Sequence, residues 1–548
     1  MIGGWFLFLS LLAFSQQAAP PRDVPGPPAA TGTVTGRITS AAGAPLHRVR
    51  VTLNGAVPNA PSAVTDTRGA FAIVDVPAGA YTLTATRAGY LSIQYGQGRP
   101  REAGRTIHVK AGAVIGGIDL ALPRGSVLAG RITDEVGDPA PGVRVEALEY
   151  RYLRGRRLLV PARLTTTNDI GEYRLSGLEP GSFRLRASST DAWESDEGKT
   201  THVFAVTFYP GVTSGDTPQS IDLGVGQEIG GLDFRLVAGN AARVTGAVED
   251  LNGTPLPDQQ VYLSEINRGI GGRLVSSGQG APAVRTDAQG RFEFSRLAPG
   301  EYLVGTGGAE ERVSVTVVLG DGDAQHVTLS PRRPAGFSGR VTTDDGAAPP
   351  FLPTRIQLMP VPTEARHALP LWGESSGVTV RADWTFRMAN LDGPRLFRVS
   401  GLPEEWMLAA VRIDGRDITD APFEVPRGGA DVQGVEIVLS KKGARLEGEV
   451  TSASGSPAQD STVIVFPENS ALWGPGSRFV RAIRPDDSGR FALNGLPPGV
   501  YRIVARPLVM EGQWEDPAFL QALARAGSRA ELFEGTVETV TLRAESER

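Results

Sequence analysis

The sequence contains no cysteine, and this absence excludes several kinds of chemistry at once. Without a thiol there is no thiol nucleophile, no thiolate ligand for a metal ion and no disulfide bond. Each folded part of the chain must therefore be stabilised by packing and hydrogen bonds alone.

A surplus of basic charge is also absent. The chain has 55 Lys and Arg residues against 60 Asp and Glu residues, which gives a formal net charge of -5. Proteins that bind nucleic acid through its phosphates carry a basic patch or a basic net charge. We therefore expect no nucleic-acid partner.

Long apolar runs are scarce, and the first 15 residues hold the main one. We interpret residues 1–15 as a secretory signal peptide cleaved before Gln16, because a short apolar run ends there in small residues. The run is shorter than the roughly 20 residues that a transmembrane helix needs. We expect an exported protein, located in the periplasm, on the cell surface or outside the cell, with no membrane span in the mature chain. Residues 16–31 are rich in Ala and Pro and read as a linker.

The main positive feature of the sequence is a motif that is clearest in residues 286–302. Asp287 is placed to accept hydrogen bonds in a turn, and Gly290 supplies a residue that tolerates positive φ. Phe292 and Phe294 then alternate with polar residues, which predicts a strand with one buried face. A Pro-Gly turn ends the strand and a second apolar run follows.

Copies of this motif recur along the whole chain, with the turn position at Gly69, Gly171, Gly290, Trp384 and Gly489. A period of about 100 residues fits a self-sufficient β-sandwich, whereas stacked solenoids repeat at roughly 20–50 residues. The sequence predicts five domains, named here repeats one to five: residues 32–123, 124–238, 239–332, 333–441 and 442–548. Repeat four is divergent, and its tryptophan predicts a turn that is built differently.

Each repeat opens with a strand that has a central glycine, as in Thr245-Gly246-Ala247, and the motif that follows reads Asp-x-x-Gly-x-Phe-x-x-x-x-Leu-x-Pro-Gly-x-Tyr in its complete form in repeats three and five. This combination resembles the carboxypeptidase regulatory-like domain over nearly all of residues 32–548, most weakly in repeat four. The resemblance implies an all-β fold: a tandem array of about five transthyretin-like (prealbumin-like) antiparallel β-sandwich domains. The motif consists of turn and core residues, so it is informative about fold and not about function. One helix is expected, over residues 517–526.

The family takes its name from domains that accompany zinc carboxypeptidases, but no peptidase motif is found. Such a zinc site needs His-x-x-Glu and a distant histidine, which together leave one coordination position for water. None of the histidines is followed by that glutamate: His47, His108, His202, His326 and His367. We interpret all of them as structural.

Three tryptophans lie in loop-like segments and are candidate ligand contacts: Trp193, Trp372 and Trp473. An exposed indole offers a stacking face for a sugar or an anchor for a protein partner. The alternative is that they are partly buried loop anchors, because an indole carries a large apolar area.

Other site-like patterns fit turns better than chemistry. Residues 373–377 match a nucleophile-elbow pattern, but a strand follows them and no histidine lies downstream. Residues 134–138 and 321–323 offer carboxylates to a calcium ion, or are simply solvated turns. Residues 150–157 interleave arginines with tyrosines, which predicts an extended hairpin with a solvated tip. We expect no catalytic residue, no cofactor and no metal site.

The favoured function is therefore a non-enzymatic, exported cell-envelope or extracellular protein that binds and spaces a partner, either an envelope or extracellular protein or a glycan. One alternative is a carbohydrate-binding protein, since starch-binding-like sandwiches are similar. A second alternative is an accessory subunit of a secreted hydrolase.

Overall fold

The chain is described by a computed structural model over residues 31–55, 61–97, 104–153, 155–195, 198, 200–213, 217–266, 283–308, 310–353, 356–363, 377–403, 405–426 and 429–545. These residues are almost entirely β-strand and turn.

The strands of repeats one and two have these bounds. Repeat one contains β1 (Gly32–Ser40), β2 (Arg50–Gly55), β3 (Ser62–Val64), β4 (Ala70–Val76), β5 (Gly79–Thr86), β6 (Ile93–Gln94), β7 (Thr106–Val109), β8 (Val114–Ile115) and β9 (Leu120–Leu122). Repeat two contains β10 (Ser126–Thr133), β11 (Arg144–Leu153), β12 (Arg156–Thr166), β13 (Glu172–Leu178), β14 (Gly181–Ser188), β15 (Ala192–Glu194), β16 (Thr201–Ala205), β17 (Thr207–Phe208), β18 (Ile221–Leu223), β19 (Glu228–Ile229) and β20 (Phe234–Arg235), and β21 (Val237–Asn240) leads into repeat three.

The later repeats follow the same order. Repeat three contains β22 (Ala242–Val248), β23 (Gln260–Ile266), β24 (Ala283–Arg285), β25 (Arg291–Leu297), β26 (Gly300–Gly307), β27 (Arg312–Leu319) and β28 (Ala324–Leu329). Repeat four contains β29 (Ala335–Thr343), β30 (Gln357–Pro362), β31 (Val378–Thr379), β32 (Thr385–Leu391), β33 (Pro394–Ser400), β34 (Met407–Ile413), β35 (Arg416–Asp417), β36 (Phe423–Glu424) and β37 (Val432–Ser440). Repeat five contains β38 (Ala444–Thr451), β39 (Ser461–Pro467), β40 (Arg481–Ile483), β41 (Arg490–Leu496), β42 (Gly499–Pro507), β43 (Ser528–Leu532) and β44 (Val537–Arg543).

Repeat five also contains the helices of the described chain that bear on the site. These are 3-10 helices at Ser470–Leu472 and Gln513–Glu515, and α1 (Pro517–Leu523). The helix expected over residues 517–526 is therefore present but shorter. Asp516 caps its first turn by accepting a hydrogen bond from the backbone N–H of Ala518, and proline occupies the first helical position.

Each repeat contains two sheets that pack face to face, as repeat three illustrates. The first sheet has the order β25-β22-β28 and the second has the order β24-β23-β26-β27. A separate hydrophobic core lies between the sheets of each repeat, and Phe292, Phe294 and Tyr302 belong to the core of repeat three. The predicted all-β array of about five sandwiches is confirmed, and the core-facing alternation of the two phenylalanines is confirmed with it.

The sandwiches are not antiparallel throughout. The opening strand β22 pairs antiparallel with β25 on one side but parallel with the closing strand β28 on the other. The opening strands of the other repeats, β1, β10, β29 and β38, also pair antiparallel on one side and parallel on the other, where β1 and β10 each have two short parallel neighbours. The first sheet of each repeat is therefore mixed.

The central glycine of each opening strand is required because the closing strand lies against it. A Cβ atom on Gly246 would lie 2.3 Å from the carbonyl oxygen of Val327 and 2.5 Å from Cζ of Phe292. A similar clash, at 1.8–2.2 Å from a backbone carbonyl oxygen, would occur at Gly36, Gly130, Gly339 and Gly448; the carbonyl lies in the closing strand in repeats four and five and between the two short closing strands in repeats one and two. No side chain fits at these positions without displacing backbone.

The repeated turn connects β24 to β25 and is hydrogen-bonded to the opening strand. The Asp287 carboxylate accepts hydrogen bonds from the backbone N–H groups of Gln289 at 2.9 Å and Arg291 at 2.8 Å. These bonds stabilise the ionised carboxylate, and the bond from Arg291 is the main cause of a lowered Asp287 pKa. The carbonyl of Gly290 accepts a hydrogen bond from the N–H of Val248 in the opening strand, at 2.8 Å.

The prediction of a differently built turn in repeat four is wrong for the backbone. Trp384 adopts φ 64° and makes the bonds of a turn glycine: its N–H donates to the carbonyl of Arg381, and its own carbonyl accepts from Val341. Its ring packs against Phe351, with ring centroids 5.6 Å apart. The residue that caps the turn does differ: the Asp383 carboxylate accepts a hydrogen bond from the backbone N–H of Thr385.

Repeat four does diverge in its sheets. In repeats three and five, β27 and β43 extend the second sheet by pairing with β26 and β42. The corresponding strand of repeat four, β34, pairs with the closing strand β37 instead. The first sheet therefore has the order β32-β29-β37-β34-β35, and β33, which pairs with β30 on one side, is bordered on the other side by the short β36.

Substitution of the central glycine tests the close approach of the closing strand. We expect Gly246→Ala to lower the free energy of unfolding by about 1–3 kcal/mol, the usual cost of overpacking a core. Urea denaturation of the full chain, followed by hydrogen exchange in repeat three, measures this. Gly308→Ala is the control, because nothing lies within 4 Å of its Cβ position. Equal stability of the two variants would contradict the assignment.

At position 384 we expect a glycine variant to be more stable than an alanine variant, which reverses the usual order of these two residues. Both Trp384→Gly and Trp384→Ala lose the ring contact with Phe351, but only alanine retains a Cβ in the left-handed region, at a cost of about 1 kcal/mol. We therefore expect Trp384→Gly to be the more stable variant in thermal unfolding. A more stable alanine variant would show that this turn does not hold positive φ.

Candidate functional site

Of the three candidate tryptophans, Trp193 lies on β15 against the core of repeat two. Its ring centroid is 4.7 Å from that of Phe204 and 5.7 Å from that of His202. The side chain is half-buried. This packing fits a loop anchor that leaves part of one indole face exposed. Trp372 lies outside the described residues.

Trp473 is held in a loop of repeat five, residues 468–480, which connects β39 to β40. Its indole N–H donates a hydrogen bond of 2.7 Å to the carbonyl of Pro467, and its ring meets that of Phe466 edge-on at 5.7 Å. The residue follows the 3-10 helix Ser470–Leu472, which Asn469 caps through its side-chain oxygen. The indole therefore fixes the loop while remaining half-exposed.

The loop borders a groove with a volume of about 430 Å³ on repeat five. Its apolar lining includes Leu472, Phe479 and Val500, and its polar lining includes Glu468 and Asn469. We call this feature the repeat-five groove. An apolar surface with a carboxylate and an amide beside it offers packing to an apolar group and hydrogen bonds to hydroxyl or amide groups.

The tyrosine in the groove wall is not an available acid or base. The Tyr501 hydroxyl donates a hydrogen bond of 2.6 Å to the carbonyl of Pro497. Burial raises the pKa of Tyr501 above its ordinary value, with smaller effects from Arg478, Arg481 and Asp420. Among the polar groups of the groove, Glu468 is paired with Arg502.

The groove loop is fastened to repeat four by arginines. The Arg478 guanidinium binds both oxygens of the Asp420 carboxylate, at 2.9 Å and 2.8 Å, and donates to the carbonyl of Leu408 at 2.8 Å. Arg398 donates to the carbonyls of Gly476 and, at 2.7 Å, Thr419. Burial lowers the pKa of Arg398 to about 10, Asp420 opposes this shift, and Arg478 and Arg481 add to it.

These junction arginines were not found from the sequence. Arg478 and Asp420 lie in different repeats, and nothing in the motif connects them. The only available signal was the presence of charged residues within otherwise apolar strands, such as Arg398 in β33. Such residues are buried only when they are paired.

The carboxylates considered for calcium are used by the backbone. The Asp134 side chain accepts hydrogen bonds from the N–H groups of Gly137 at 2.9 Å and Asp138 at 2.8 Å. Both oxygens of Asp321 accept from Asn240. Over the part of the chain that the structure describes, no group of three or more metal-binding side chains comes together.

The hairpin predicted over residues 150–157 is present as β11 and β12, and its tip is partly buried, with Arg156 and Arg157 exposed. Gly155 at the tip is buried, because it packs against Glu515 of repeat five. The tyrosines and arginines also pair with each other: the Arg157 guanidinium lies 3.9 Å from the centroid of the Tyr150 ring. The predicted solvated tip is therefore found at the two arginines but not at Gly155.

None of the helices described here has the length and apolar character to cross a membrane. A search of curated proteins gives no match to the chain.

Solved structures with similar segments share little sequence with the chain. The TIE protein of Bacillus anthracis is 13% identical over 55% of this chain and 51% of its own length, with a TM-score of 0.16. A streptococcal ancillary pilin is 13% identical over 55% of this chain and 99% of its own, with a TM-score of 0.21. A putative carbohydrate binding protein of Pseudomonas aeruginosa is 13% identical over 17% of this chain and 89% of its own, with a TM-score of 0.14. The chain thus spans about half the length of the first of these, and similarity at this level has no bearing on function.

The family comparison is more specific. The model of the carboxypeptidase regulatory-like domain matches residues 33–122, which lie within repeat one. This segment contains the two sheets, the central glycine and the capped turn described above. Residues 33–122 therefore match the carboxypeptidase regulatory-like domain, and the chain is a tandem β-sandwich protein with this match in its first repeat.

Proposed function

We propose that the chain is an exported, non-enzymatic protein of the cell envelope or extracellular space that binds a partner and holds it at a fixed spacing. The observation that carries the proposal is the set of charged contacts that joins repeats two to five. Repeats that move independently on flexible linkers would not need these contacts.

The junction between repeats two and three is a buried ion cluster. The Arg186 guanidinium binds Glu146 of its own repeat at 2.8 Å and Glu265 of repeat three at 2.7 Å. Arg186 and Glu146 are both almost completely buried. A buried charge is stable only when its partners are correctly placed, so this cluster favours one relative position of the two repeats.

The junction between repeats three and four also uses a buried arginine. Arg312 of β27 donates a hydrogen bond of 2.6 Å to the carbonyl of Asn390 in repeat four, and it lies 3.9 Å from the Asp392 carboxylate. The junction between repeats four and five is the Arg478 and Asp420 contact. Three successive junctions are thus fixed by directional hydrogen bonds in addition to packing.

We also propose domain limits at residues 32–123, 124–238, 239–332, 333–441 and 442–548. Each of the five large hydrophobic cores falls within one of these ranges. Core separation of this kind is the physical basis of a domain.

The repeat-five groove is the proposed contact for the partner, and it keeps carbohydrate binding as a second candidate. The groove combines apolar lining with Glu468 and Asn469, and Trp473 stabilises the loop beside it. Sugars bind proteins through this mixture of apolar faces and hydrogen-bonding groups. A side chain of a partner protein can make the same contacts with the groove. The protein-binding and carbohydrate-binding candidates therefore share one site and differ only in the partner.

Obstruction of the groove tests the binding role. We expect Val500→Lys to weaken retention of the purified chain on its partner by roughly tenfold or more, as loss of about 1.4 kcal/mol of binding energy requires. The probes are a panel of immobilised polysaccharides and a panel of envelope and extracellular proteins. Val318→Lys is the control, because Val318 is exposed on β27 and away from the groove.

Each outcome of the panel is informative. Retention on a polysaccharide that disappears with Trp473→Ala favours carbohydrate binding, whereas retention on a protein favours the spacing role. Equal retention of Val500→Lys and Val318→Lys would exclude the groove as the contact. Failure of the native chain to bind any probe in either panel would contradict the binding role.

Export is tested by processing and fractionation. We expect the chain, expressed in a bacterial host, to be found outside the cytoplasm with Gln16 as its first residue, because residues 1–15 fit a secretory signal. Mass spectrometry of the amino terminus measures this, and deletion of residues 2–15 should retain the chain in the cytoplasm. An unprocessed native chain in the cytoplasm would contradict the proposal.

A further inference from the structure

Two segments of the chain depart from the common repeat, and the first is the hairpin of repeat two. Its strands β11 and β12 have 10 and 11 residues. The equivalent pairs are much shorter, with 7 and 3 residues in repeat three and 7 and 3 in repeat five. The hairpin therefore extends past the edge of its own sandwich.

The hairpin is packed against repeat two along its length. Leu148 and Leu159 pack with Phe208 in a small buried cluster on the outer face of the sheet. Nearer the tip, Arg157 and Arg184 lie 3.9 Å and 4.7 Å from the centroid of the Tyr150 ring. This packing holds the tip in one position relative to repeat two.

The second unusual segment is the helical insertion of repeat five, residues 509–525, which contains the 3-10 helix Gln513–Glu515 and α1. Leu520 and Leu523 of α1 are buried against Ile464, Phe466 and Val504 on the outer face of the second sheet. Trp514 packs against the same cluster. The insertion is therefore part of a second core of repeat five and is not a free loop.

The two unusual segments meet. A Cβ atom on Gly155 at the hairpin tip would lie 2.2 Å from the carbonyl oxygen of Glu515. A Cβ atom on Gly512 would lie 2.9 Å from the carbonyl oxygen of Tyr152 and 3.4 Å from its Cβ. Both glycines have positive φ, 65° and 77°. Backbone therefore packs on backbone at this contact, and a side chain at Gly155 would displace the backbone of Glu515.

We propose that this contact is a latch that makes repeats two to five one cooperative unit. Charged junctions join repeat two to three, three to four and four to five, and the latch joins five back to two. In a closed series of contacts, the loss of any one contact leaves its partners close together, so that contact re-forms at a high effective concentration. The four repeats then open together and not singly.

The latch also accounts for the arginine- and tyrosine-rich hairpin, which the proposed binding role does not use. None of Gly155, Gly512 and Glu515 lines the repeat-five groove, so substitutions at the latch and at Val500 test the two proposals separately.

A designed disulfide tests the contact directly. The chain has no cysteine, so an engineered pair has no competing thiol. We expect Tyr152→Cys with Gly512→Cys to form an intramolecular disulfide in the full chain, because their Cβ atoms are placed about as far apart as in a disulfide, roughly 3.5–4.5 Å. Tyr152→Cys with Gly535→Cys is the control: Gly535 has φ 66° and nothing lies within 4 Å of its Cβ position.

Non-reducing electrophoresis and mass spectrometry of the monomer read the result. A disulfide in the first pair and none in the control supports the latch. Absence of the disulfide in a folded protein, or a disulfide only between separate chains, would overturn it.

Cooperativity is tested with single substitutions. We expect Gly155→Ala to reduce the hydrogen-exchange protection of both the hairpin and residues 509–525, by roughly tenfold or more, since both depend on one contact. Gly142→Ala is the control, because Gly142 lies in the same repeat with φ 73° and no neighbour within 4 Å. Loss of protection in the hairpin alone, with residues 509–525 unchanged, would show that the repeats open independently.

Discussion

The structure depends on one close approach: the closing segment of each repeat pairs parallel with the opening strand and places a carbonyl oxygen against the central glycine. In repeat three the glycine is Gly246 and the carbonyl belongs to Val327. Parallel pairing places the closing strand beside the opening strand, and the capped turn fixes the opening strand from the other side. One strand is thus held on both edges, and the second sheet packs on the resulting surface.

The local parts of this arrangement were predictable from the sequence. A capping carboxylate, a turn glycine and alternating phenylalanines act over a few residues, so the motif around Asp287 contains what determines them. Strand direction was not predictable, because alternation of side chains is the same in parallel and antiparallel strands. The transfer of β34 to the other sheet of repeat four has no local signal either. At Trp384 the backbone hydrogen bonds and ring packing outweigh the preference for glycine, which is why the local prediction was wrong there.

The candidate site shows the same division between local and distant interactions. Sequence composition identified Trp473, and the structure places it beside a groove, although mainly as the residue that fixes the loop. The residues that fasten this loop to repeat four were missed, because Arg478 and Asp420 lie in separate repeats. The pair of Arg186 and Glu265 was also missed, because these residues too lie in separate repeats. Pairing across domains depends on how the folded repeats meet, and that information is not contained in any single motif.

The central claim is that repeats two to five form a block with fixed spacing, and its direct test is the distance between two of its members. Spin labels at Asp222→Cys in repeat two and Thr541→Cys in repeat five lie on exposed strand positions of a chain with no other cysteine. Double electron–electron resonance on the full chain should give one narrow distance distribution, unchanged by dilution. A broad distribution or several distances would show that the repeats move independently, and the fixed-spacing account would be wrong.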